Sequence, residues 1–559
     1  MKLSRWIISF GGLIIGILSH PGSSVGQVTA RSSVDSSGVQ GDEDSSSASL
    51  SANGRLVAFD SDATNLVDND TFVLTDVFVH DRDTGITELV SINSDGIQAN
   101  HLSFDPVISA DGNAVAFVSS ATNLVSDDLN ETWDIFVHDR TARITERVSV
   151  SSSGVEADRE SAHPSISADG RFVVFESQAT NLVPNDRNQR SDIFVRDRLT
   201  GFTERVSIGN SGAEANSSSY FPSISADGLT VAFQSAASNL VADDKNNSDD
   251  VFVYDRATKM TERVSLSSAG AEADASSSDG AISANGSVVV FVSKARNLIP
   301  ADTNRADDTF VHDRATGTTE RVSVDTFGNE SDGPSDEPSI SADGAIIVFS
   351  ADATNLVEND TNGVDDIFVH DRKTGVTIRV SVDSAGAQGK GASLGPSVSS
   401  DGSSVGFDSR AYNLVSDDTN GVDDVFVHDL CSADATWSNY GDGFPGRFGI
   451  PSITSLTDPV LGKRQTIHCD SSSGDYSVAL VLIGWEDAFI PSDKGGVLLL
   501  IPEISILVPL GPDGIWISAL LPGEETLCGT EVFLQAVELD PAAQAGLSFT
   551  PGLKLVLGY

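Results

Sequence analysis

A unit of 58 residues, repeated seven times without an insertion or a deletion, is the feature that most restricts what this chain can fold into. One phenylalanine marks each copy: Phe59, Phe117, Phe175, Phe233, Phe291, Phe349 and Phe407. The same step relates Gly54 to Gly402 and Asp76 to Asp424. A fixed period of this length is typical of chains that stack identical supersecondary units or arrange them around an axis.

Within one unit, the pattern of apolar residues is that of β-strands. In the third copy, short apolar segments at 164–167, 171–175, 192–195 and 202–207 alternate with turns rich in Gly and Asp, which suit tight hairpins. No segment keeps the apolar period of an amphipathic helix. Four strands in each of seven units predict an all-β, seven-bladed β-propeller, with an open solenoid as the alternative.

The two ends of the repeat region predict that the ring closes. The seventh copy supplies three strands, ends at Asp429 and has no fourth strand of its own. Residues 31–38 align one period before the end of the first copy, so that Gly38 corresponds to Gly96. We therefore expect this N-terminal segment to complete the last blade, which leaves no unpaired inner edge.

The units resemble the WD40-like (TolB-type, PD40) propeller repeat. The motifs that carry the resemblance are Ser-Ala-Asp-Gly, Val-Ala-Phe and Asp-x-Phe-Val-x-Asp-Arg, all present between Ser225 and Thr258. The resemblance covers residues 31–430 and implies the propeller fold. It leaves the function open, because proteins with this repeat include binding modules, transport partners and enzyme-associated domains.

Residues 1–30 are predicted to be a secretory signal peptide. Lys2 and Arg5 precede an apolar run from Trp6 to Leu18, and small and polar residues follow as far as Ala30. The run is too short to cross a bilayer as a helix, although a short anchor or a buried strand is an alternative. We expect cleavage near Gly26 or Ala30, and a secreted or periplasmic protein with no membrane span in the mature chain.

Residues 431–559 depart from the repeat and contain short apolar segments separated by Pro and Gly. This pattern predicts a small C-terminal β-sandwich domain. The domain carries Cys431, Cys469 and Cys528, which suit an oxidising compartment. A bridge between Cys469 and Cys528 is one of three possible pairings, and the sequence does not decide among them.

The charge of the chain limits its partners. It has 81 acidic and 34 basic residues, for a formal net charge of −47. Such a surface repels the phosphate backbone, which excludes nucleic acid as a partner, and it favours cations or basic groups.

The long loop between the second and third strands repeats the pattern Asp-x-Asn-x-x-x-Asp in six blades. Carboxylate and amide oxygens at this spacing can converge on Ca²⁺ if the loop curls, or they can cap the turns of their own backbone, and the sequence leaves both open. The candidate calcium ligands are Asp128, Asn130 and Asp134; Asp186, Asn188 and Asp192; Asp244, Asn246 and Asp250; Asp302, Asn304 and Asp308; Asp360, Asn362 and Asp366; and Asp418, Asn420 and Asp424. The first blade keeps Asp70 and Asp76 but has Phe72 in place of the asparagine.

A repeated residue is poor evidence for catalysis, because an active site requires an asymmetric cluster. We therefore predict a non-enzymatic scaffold that binds a protein or a carbohydrate. Ca²⁺ bound in the long loops is a possible stabilising ion of this scaffold. The alternatives are a carbohydrate-active hydrolase or lyase with its site on the long-loop face near the central channel, and a TolB-like envelope partner protein. Seven residues break the repeat on that face, and either ligand binding or neutral sequence drift explains them. They are Trp133, Arg187, Arg190, Tyr220, Phe221, Lys245 and Arg305.

Overall fold

The computed structural model describes residues 7–9 and 28–557, apart from residues 301, 431–435, 462, 486, 493–496, 503, 522–529, 542 and 544–545. The chain divides into two compact units, one formed by residues 28–430 and one that contains residues 431–559. Every regular element in the described part of the chain is a strand. No helix long and apolar enough to cross a membrane occurs among these residues.

Between residues 28 and 430, the described strands form seven four-stranded antiparallel sheets, one per repeat. The first strands are β3 (Ser45–Leu50), β7 (Ser103–Ile108), β11 (Ser161–Ile166), β15 (Ser219–Ile224), β19 (Ser277–Ile282), β23 (Ser335–Ile340) and β27 (Ser393–Val398). The second strands are β4 (Leu56–Ser61), β8 (Ala114–Ser119), β12 (Phe172–Ser177), β16 (Thr230–Ser235), β20 (Val288–Ser293), β24 (Ile346–Ala351) and β28 (Ser404–Ser409).

The outer two strands of each sheet follow the same spacing. The third strands are β5 (Asp76–Asp81), β9 (Asp134–Asp139), β13 (Asp192–Asp197), β17 (Asp250–Asp255), β21 (Asp308–Asp313), β25 (Asp366–Asp371) and β29 (Asp424–Asp429). The fourth strands of the first six sheets are β6 (Ile86–Leu89), β10 (Ile144–Arg147), β14 (Phe202–Arg205), β18 (Met260–Arg263), β22 (Thr318–Arg321) and β26 (Val376–Arg379), and the seventh is β2 (Thr29–Arg31).

The hydrophobic core lies between neighbouring sheets. The repeated Phe59 on the second strand pairs with Phe78 on the third, with ring centroids 5.8 Å apart. Buried residues of the first sheet, such as Val79, pack with Phe117 of the second sheet in one cluster. Because each buried phenylalanine contributes about 1.5–3 kcal/mol, the repeated aromatic pair explains why the sheets stack face to face as blades.

The blades form a closed ring. The first strand of each blade contacts the first strands of both neighbours, and β27 of the last blade contacts β3 of the first. Strand β2 pairs with β29, so that Ala30 lies opposite Val427. Leu50 of the first blade and Val427 of the last share one buried cluster. The architecture is therefore a β-propeller closed by its N-terminal strand.

The closing strand lies earlier in the chain than residues 31–38, where the sequence places it. Only Arg31 of that segment belongs to β2, because Val34 pairs with Gln40 in a turn that carries the chain towards the first blade. The closing strand begins at Thr29, whose hydroxyl donates to the carbonyl oxygen of Val382 (2.5 Å). Residues 28–30 thus belong to the propeller and not to the leader, and the signal peptide itself stays a prediction, since residues 1–6 and 10–27 lie outside the described residues.

The C-terminal unit contains two larger sheets and a hairpin. One sheet comprises β30 (Thr436–Tyr440), β33 (Ser477–Gly484), β36 (Ile504–Leu510), β38 (Glu531–Leu539), β39 (Leu547–Phe549) and β40 (Gly552–Val556). The other comprises β1 (Ile7–Ser9), β31 (Ile453–Ser455), β32 (Arg464–Cys469) and β37 (Ile515–Leu520), and β34 (Asp487–Pro491) pairs with β35 (Val497–Leu500).

The two larger sheets of this unit share a core. Cys469 and Ile515 of the smaller sheet pack in one buried cluster with Val481 and Leu553 of the larger sheet. Cys469 is fully buried, and burial raises the pKa of its thiol to about 12. Cys431 and Cys528 lie outside the described residues, so the disulfide pairing stays a prediction.

Candidate functional site

In the six blades that carry the pattern, the predicted calcium ligands converge at the outer rim of the long-loop face. In the second blade, Asp134 begins β9 and is fully buried. The Asn130 side-chain amide donates to Asp134 Oδ2 (2.8 Å) and to the carbonyl oxygen of Ala157 (2.9 Å). Its Oδ1 accepts the backbone N–H of Thr132 (3.1 Å), as in a capped turn. The asparagine therefore ties the loop to the third strand.

The other five blades with this pattern repeat the arrangement. The amide of the asparagine donates to the second aspartate between Asn188 and Asp192 (2.8 Å), Asn246 and Asp250 (2.9 Å), Asn304 and Asp308 (3.0 Å), Asn362 and Asp366 (2.8 Å), and Asn420 and Asp424 (3.2 Å). The loop curls as the calcium hypothesis requires. The asparagine oxygen accepts a backbone N–H of the turn in the second to sixth blades. In the seventh blade, Asn420 Oδ1 is buried and accepts no hydrogen bond. Binding of Ca²⁺ at these ligands stays a prediction.

An arginine from the fourth strand, which the loop pattern does not reveal, lies among the carboxylates. Arg147 Nη1 lies 3.4 Å from Asp128 Oδ1, 3.4 Å from Asp134 Oδ2 and 2.9 Å from Glu156 Oε2. Its side chain is 7% exposed. We call this group, with Asn130, the rim cluster of the second blade. The equivalent arginines are Arg31, Arg205, Arg263, Arg321 and Arg379.

The guanidinium lies among carboxylates that are close enough together to hold a metal ion. In the fourth blade, carboxylate oxygens of Asp244, Asp250 and Glu272 lie within 4.8 Å of one another. Arg263 Nη1 lies 3.5, 3.2 and 3.1 Å from these three groups, respectively. A Ca²⁺ ion needs oxygens at about 2.3–2.6 Å, so it would compete with this nitrogen.

The rim clusters hold more carboxylates than one arginine can neutralise. The Asp128 side chain is 3% exposed, and its Oδ1 accepts no hydrogen bond. Burial raises the pKa of Asp134 to about 6, against the opposing effects of Ser149, Asn130 and Arg147. The ionisation of these carboxyl groups therefore depends on their neighbours in the cluster and on folding.

In the first blade, a glutamine takes the place of the arginine between the two aspartates. This blade has Leu89 at the position of the arginine and Gln98 at the position of the glutamate. Gln98 Nε2 donates to Asp70 Oδ1 (2.8 Å) and to Asp76 Oδ2 (2.6 Å). An amide thus bridges the two aspartates, and burial raises the pKa of Asp76 to about 6.

At the mouth of the central channel, the residue type differs from blade to blade although the backbone repeats. In every blade, the third residue of the first strand has a left-handed backbone, and the register with the second strand shifts there. Such bulges re-aim side chains. Around the ring these residues are Ser47, Asp105, His163, Phe221, Asp279, Glu337 and Gly395. They come from strands that surround the axis, and they lie towards the ends that carry the long loops.

The penultimate residue of the second strand adds a further varied position. It is Asp60 in the first blade, Glu176 in the third, Gln234 in the fourth and Asp408 in the seventh. These residues lie on the two innermost strands of their blades, and we call this set, with the bulge residues and Tyr220, the channel-mouth cluster.

In the third and fourth blades, the side chains of the channel-mouth cluster contact one another directly. Glu176 Oε1 lies 3.3 Å from His163 Nδ1, and Glu176 Oε2 accepts the backbone N–H of Phe221 (3.1 Å). The rings of His163 and Phe221 lie 4.5 Å apart, and Tyr220 lies 6.4 Å from Phe221. Phe221 is 42% exposed, which is unusual for a large apolar side chain in this position.

The first, second and seventh blades contribute carboxyl groups. Asp60 Oδ2 accepts the backbone N–H of Asp105 (3.0 Å), and Asp60 Oδ1 accepts the hydroxyl of Ser46 (2.7 Å). Burial raises the pKa of Asp105 to about 6, although His163 opposes the shift. Burial and then the nearby Glu337, Asp423 and Asp60 raise the pKa of Asp408 to about 7.

Burial lowers the pKa of His163, but contact with Glu176 and the nearby aspartates outweighs this effect and raises it overall. The mouth of the channel therefore combines carboxyl groups whose pKa values are raised by burial with an imidazole whose pKa is raised by its contact with Glu176. Such a combination of raised carboxyl pKa values is typical of functional sites, although ion networks also produce it.

Of the repeat-breaking residues found in the sequence, Tyr220 and Phe221 belong to the channel-mouth cluster. Trp133 instead packs on Phe104, with ring centroids 5.0 Å apart, and Lys245 pairs with Asp243 (2.7 Å). Sequence reasoning missed Asp105, His163 and Glu176. Their signal is visible only by aligning the seven copies at the first-strand and second-strand positions, where the residue types diverge.

The raised pKa values of Asp76, Asp105 and Asp408 contribute to the pH dependence of stability. Between about pH 4 and 7 these groups keep protons in the folded state that the unfolded chain has released, so their contribution to the unfolding free energy falls as pH rises. Three histidines whose pKa values are lowered by burial contribute the opposite slope, namely His80, His138 and His312. In urea unfolding across this window, the midpoint of Asp408→Asn should therefore fall less, or rise more, with pH than that of the native protein. An identical pH dependence for the two proteins would contradict the contribution of Asp408.

Comparisons with known proteins give structural likenesses of low identity. TolB from Acinetobacter baumannii is 14% identical, with 61% of this chain and 65% of that chain covered and a TM-score of 0.33. The RRP9 WD40 repeats are 9% identical, with coverage of 69% and 94% and a TM-score of 0.37. A sialidase from Trypanosoma rangeli is 9% identical, with coverage of 95% of each chain and a TM-score of 0.29.

No protein-family model and no curated protein matches the sequence. The chain's own strand order, with four antiparallel strands in each sheet and a contact between the last and first sheets, decides the architecture. In fold, this chain is a closed β-propeller. As in other propellers, the end of the central channel is a place where loops and inner strands from all blades meet.

Proposed function

We propose that this protein is an exported, non-enzymatic β-propeller scaffold that binds its ligand at the channel-mouth cluster. The observation that supports this proposal is the contrast between two sets of residues. The rim clusters repeat around the ring and use their side chains to tie one strand to the next. At the channel mouth, the bulge positions instead carry aspartate, histidine, phenylalanine and glutamate in different blades.

A binding comparison with matched variants tests the proposal. We would screen the full-length protein, Phe221→Leu and Phe327→Leu against a glycan array and against solubilised envelope extract. Phe327 is an exposed phenylalanine outside the cluster and serves as the control. We expect ligands retained by the native protein and the control to be lost by Phe221→Leu. Equal retention by all three proteins would refute a ligand site at the channel mouth.

A carbohydrate-active hydrolase or lyase is the second candidate. The observation that favours it is the pair of carboxyl groups with raised pKa values, Asp105 and Asp408, since a protonated carboxyl near neutral pH can act as a general acid. Release of reducing ends from a polysaccharide panel, abolished by Asp105→Asn or Asp408→Asn, would establish this function. A TolB-like role with an envelope partner protein is the third candidate, and the extract screen covers it.

The calcium hypothesis is tested by thermal unfolding. We expect the melting temperature to be the same in chelator and in millimolar Ca²⁺, because Arg147 and its equivalents already place a cation among the rim carboxylates. A ligand that binds only the folded state raises the melting temperature by mass action. A rise of several degrees with Ca²⁺, absent with Mg²⁺, would contradict this expectation and support the sequence-based prediction.

A further inference from the structure

The strand that closes the ring has a shorter pairing than its counterparts. Strand β2 pairs with β29 through Thr29, Ala30 and Arg31, whereas each of the other six fourth strands pairs with its third strand through four residues. Those six strands also follow the third strand of their own blade directly along the chain, while β2 reaches its blade from the N-terminal side. We call residues 28–33, which contain β2, the closing segment. This segment therefore has less backbone pairing and no hairpin to its partner strand.

The closing segment carries a polar residue where the other six blades carry an apolar one. Ser32 corresponds in the repeat to valines that are all buried, namely Val90, Val148, Val206, Val264, Val322 and Val380. Ser32 is 1% exposed, and its hydroxyl has no hydrogen-bond partner among the described residues. A buried hydroxyl without a partner is unfavourable, and serine also lacks the apolar surface that valine removes from water. This position therefore weakens the attachment of the closing segment.

In the third blade, the equivalent valine joins one blade to the next. Val206 packs with Val231 and Phe252 of the fourth blade in one buried cluster. The buried apolar cluster between the last blade and the first contains Val427 and Phe59 but no residue of the closing segment. The closing segment thus lacks the apolar contact that such a valine makes with the next blade in five other blades.

The closing segment also lacks an ion pair to the next blade. Five other fourth strands carry a glutamate that pairs with an arginine of the following blade, in the pairs Glu88–Arg140, Glu146–Arg198, Glu204–Arg256, Glu262–Arg314 and Glu320–Arg372. The closing segment has Ala30 at the position of the glutamate. The arginine of the following blade, Arg82, pairs instead with Asp429 of β29 (2.7 Å). This ion pair therefore joins the first blade to the third strand of the last blade and leaves the closing strand out.

The polar contacts of the closing segment recur in the other blades. Ser33 donates to the buried Asp424 (2.6 Å), as Ser207 donates to Asp192 in the third blade (2.6 Å). Arg31 pairs with the same Asp424 (3.2 Å), as the equivalent arginines do in their blades. The closing segment therefore differs from its counterparts in the apolar residue, the ion pair and the length of the pairing. All three differences weaken its attachment to the ring.

We infer that the closing segment is a latch, which detaches transiently from β29 while the other six blades remain folded. Detachment exposes the hydroxyl of Ser32 to water and so removes the unfavourable effect of its burial. A segment with fewer buried apolar contacts opens locally more often than the rest of the fold. The open state leaves the edge of β29 unpaired, and such an edge can accept a strand of another protein. The inference concerns the ring itself and does not depend on the ligand site proposed above.

Native-state hydrogen exchange of the full-length protein, followed by mass spectrometry, tests the inference. The exchange rates of residues 28–33 and 424–429 are compared with those of residues 202–207 and 192–197, which are the equivalent segments of the third blade. We expect exchange that is about tenfold faster or more at the latch, since exchange reports the free energy of local opening. Equal exchange rates in the two blades would overturn the inference.

Two matched variants exchange the residues at the deciding position. Ser32→Val should slow exchange of the latch by about tenfold or more and leave the third blade unchanged. Val206→Ser should accelerate exchange of residues 202–207 and leave the latch unchanged. Unchanged exchange of the latch in Ser32→Val would overturn the inference, whether or not Val206→Ser folds. Equal slowing in all blades of Ser32→Val would also overturn it, because the ring would then open only by unfolding as a whole.

Discussion

A variant that begins at Asp35 is expected to lose the closed propeller. It lacks β2, which pairs with β29, and it therefore leaves an unpaired edge on the last blade. It also lacks Ser33 and Arg31, which bond to the buried Asp424 at 2.6 and 3.2 Å. Removing the partner of a buried charge costs about 3–5 kcal/mol, and the lost strand adds to this.

Urea unfolding and near-UV circular dichroism measure the effect. The matched control begins at Val28, where the compact unit of the propeller starts, and it should unfold as cooperatively as the full-length protein. The variant that begins at Asp35 should have a much lower midpoint and a weak near-UV signal. Equal midpoints for the two proteins would show that the first blade and the last blade stay together without the N-terminal strand.

The second large effect is expected for Arg147→Leu. This change leaves Asp134 and Asp128 buried without the guanidinium that lies 3.4 Å from each of them. We expect the unfolding free energy to fall by about 3–5 kcal/mol. Arg159→Leu removes an exposed arginine close in sequence and should change the unfolding free energy by no more than about 0.5 kcal/mol.

The first blade supplies a rescue for this variant. There the chain already combines Leu89 with Phe72 and Gln98, and the glutamine amide bridges the two aspartates. The triple change Asn130→Phe, Arg147→Leu and Glu156→Gln gives the second blade the same set of residues. We expect it to recover most of the stability that Arg147→Leu loses. A triple variant as unstable as the single variant would contradict the compensating role of the glutamine.

The repeat makes the propeller predictable from the sequence, because the period fixes the number of sheets and the repeated Phe59 position fixes the buried face of the second strand. The position of the closing strand is less predictable. The apolar alternation continues past Arg31 into Val34, although the latter residue lies in a turn. Hydrophobic pattern alone does not show where backbone pairing ends.

The site was predictable only in part. The loop aspartates converge as their spacing predicts. The arginine that contacts them comes from the fourth strand, so the contact between Arg147 and Asp128 is not visible in the loop sequence. The channel-mouth cluster is harder still, because His163 and Asp279 come from different repeats. Both residues have a left-handed backbone, a conformation that glycine usually adopts. Because neither residue is glycine, the sequence does not indicate this conformation.

Closure of the ring by the N-terminal strand can be tested with a disulfide between Ala30→Cys and Val427→Cys. These residues lie opposite each other in the β2–β29 pair, and residues in such antiparallel positions are about 4.5–5.5 Å apart, within the span of a disulfide. With the native cysteines replaced by alanine, we expect an intramolecular bond in the purified protein, seen by mass spectrometry after thiol labelling. The control pair Ala30→Cys and Val311→Cys, which places the second cysteine at the equivalent position of the fifth blade, should remain reduced. Two free thiols in the Ala30→Cys and Val427→Cys protein, or crosslinks only between molecules, would contradict closure by the N-terminal strand.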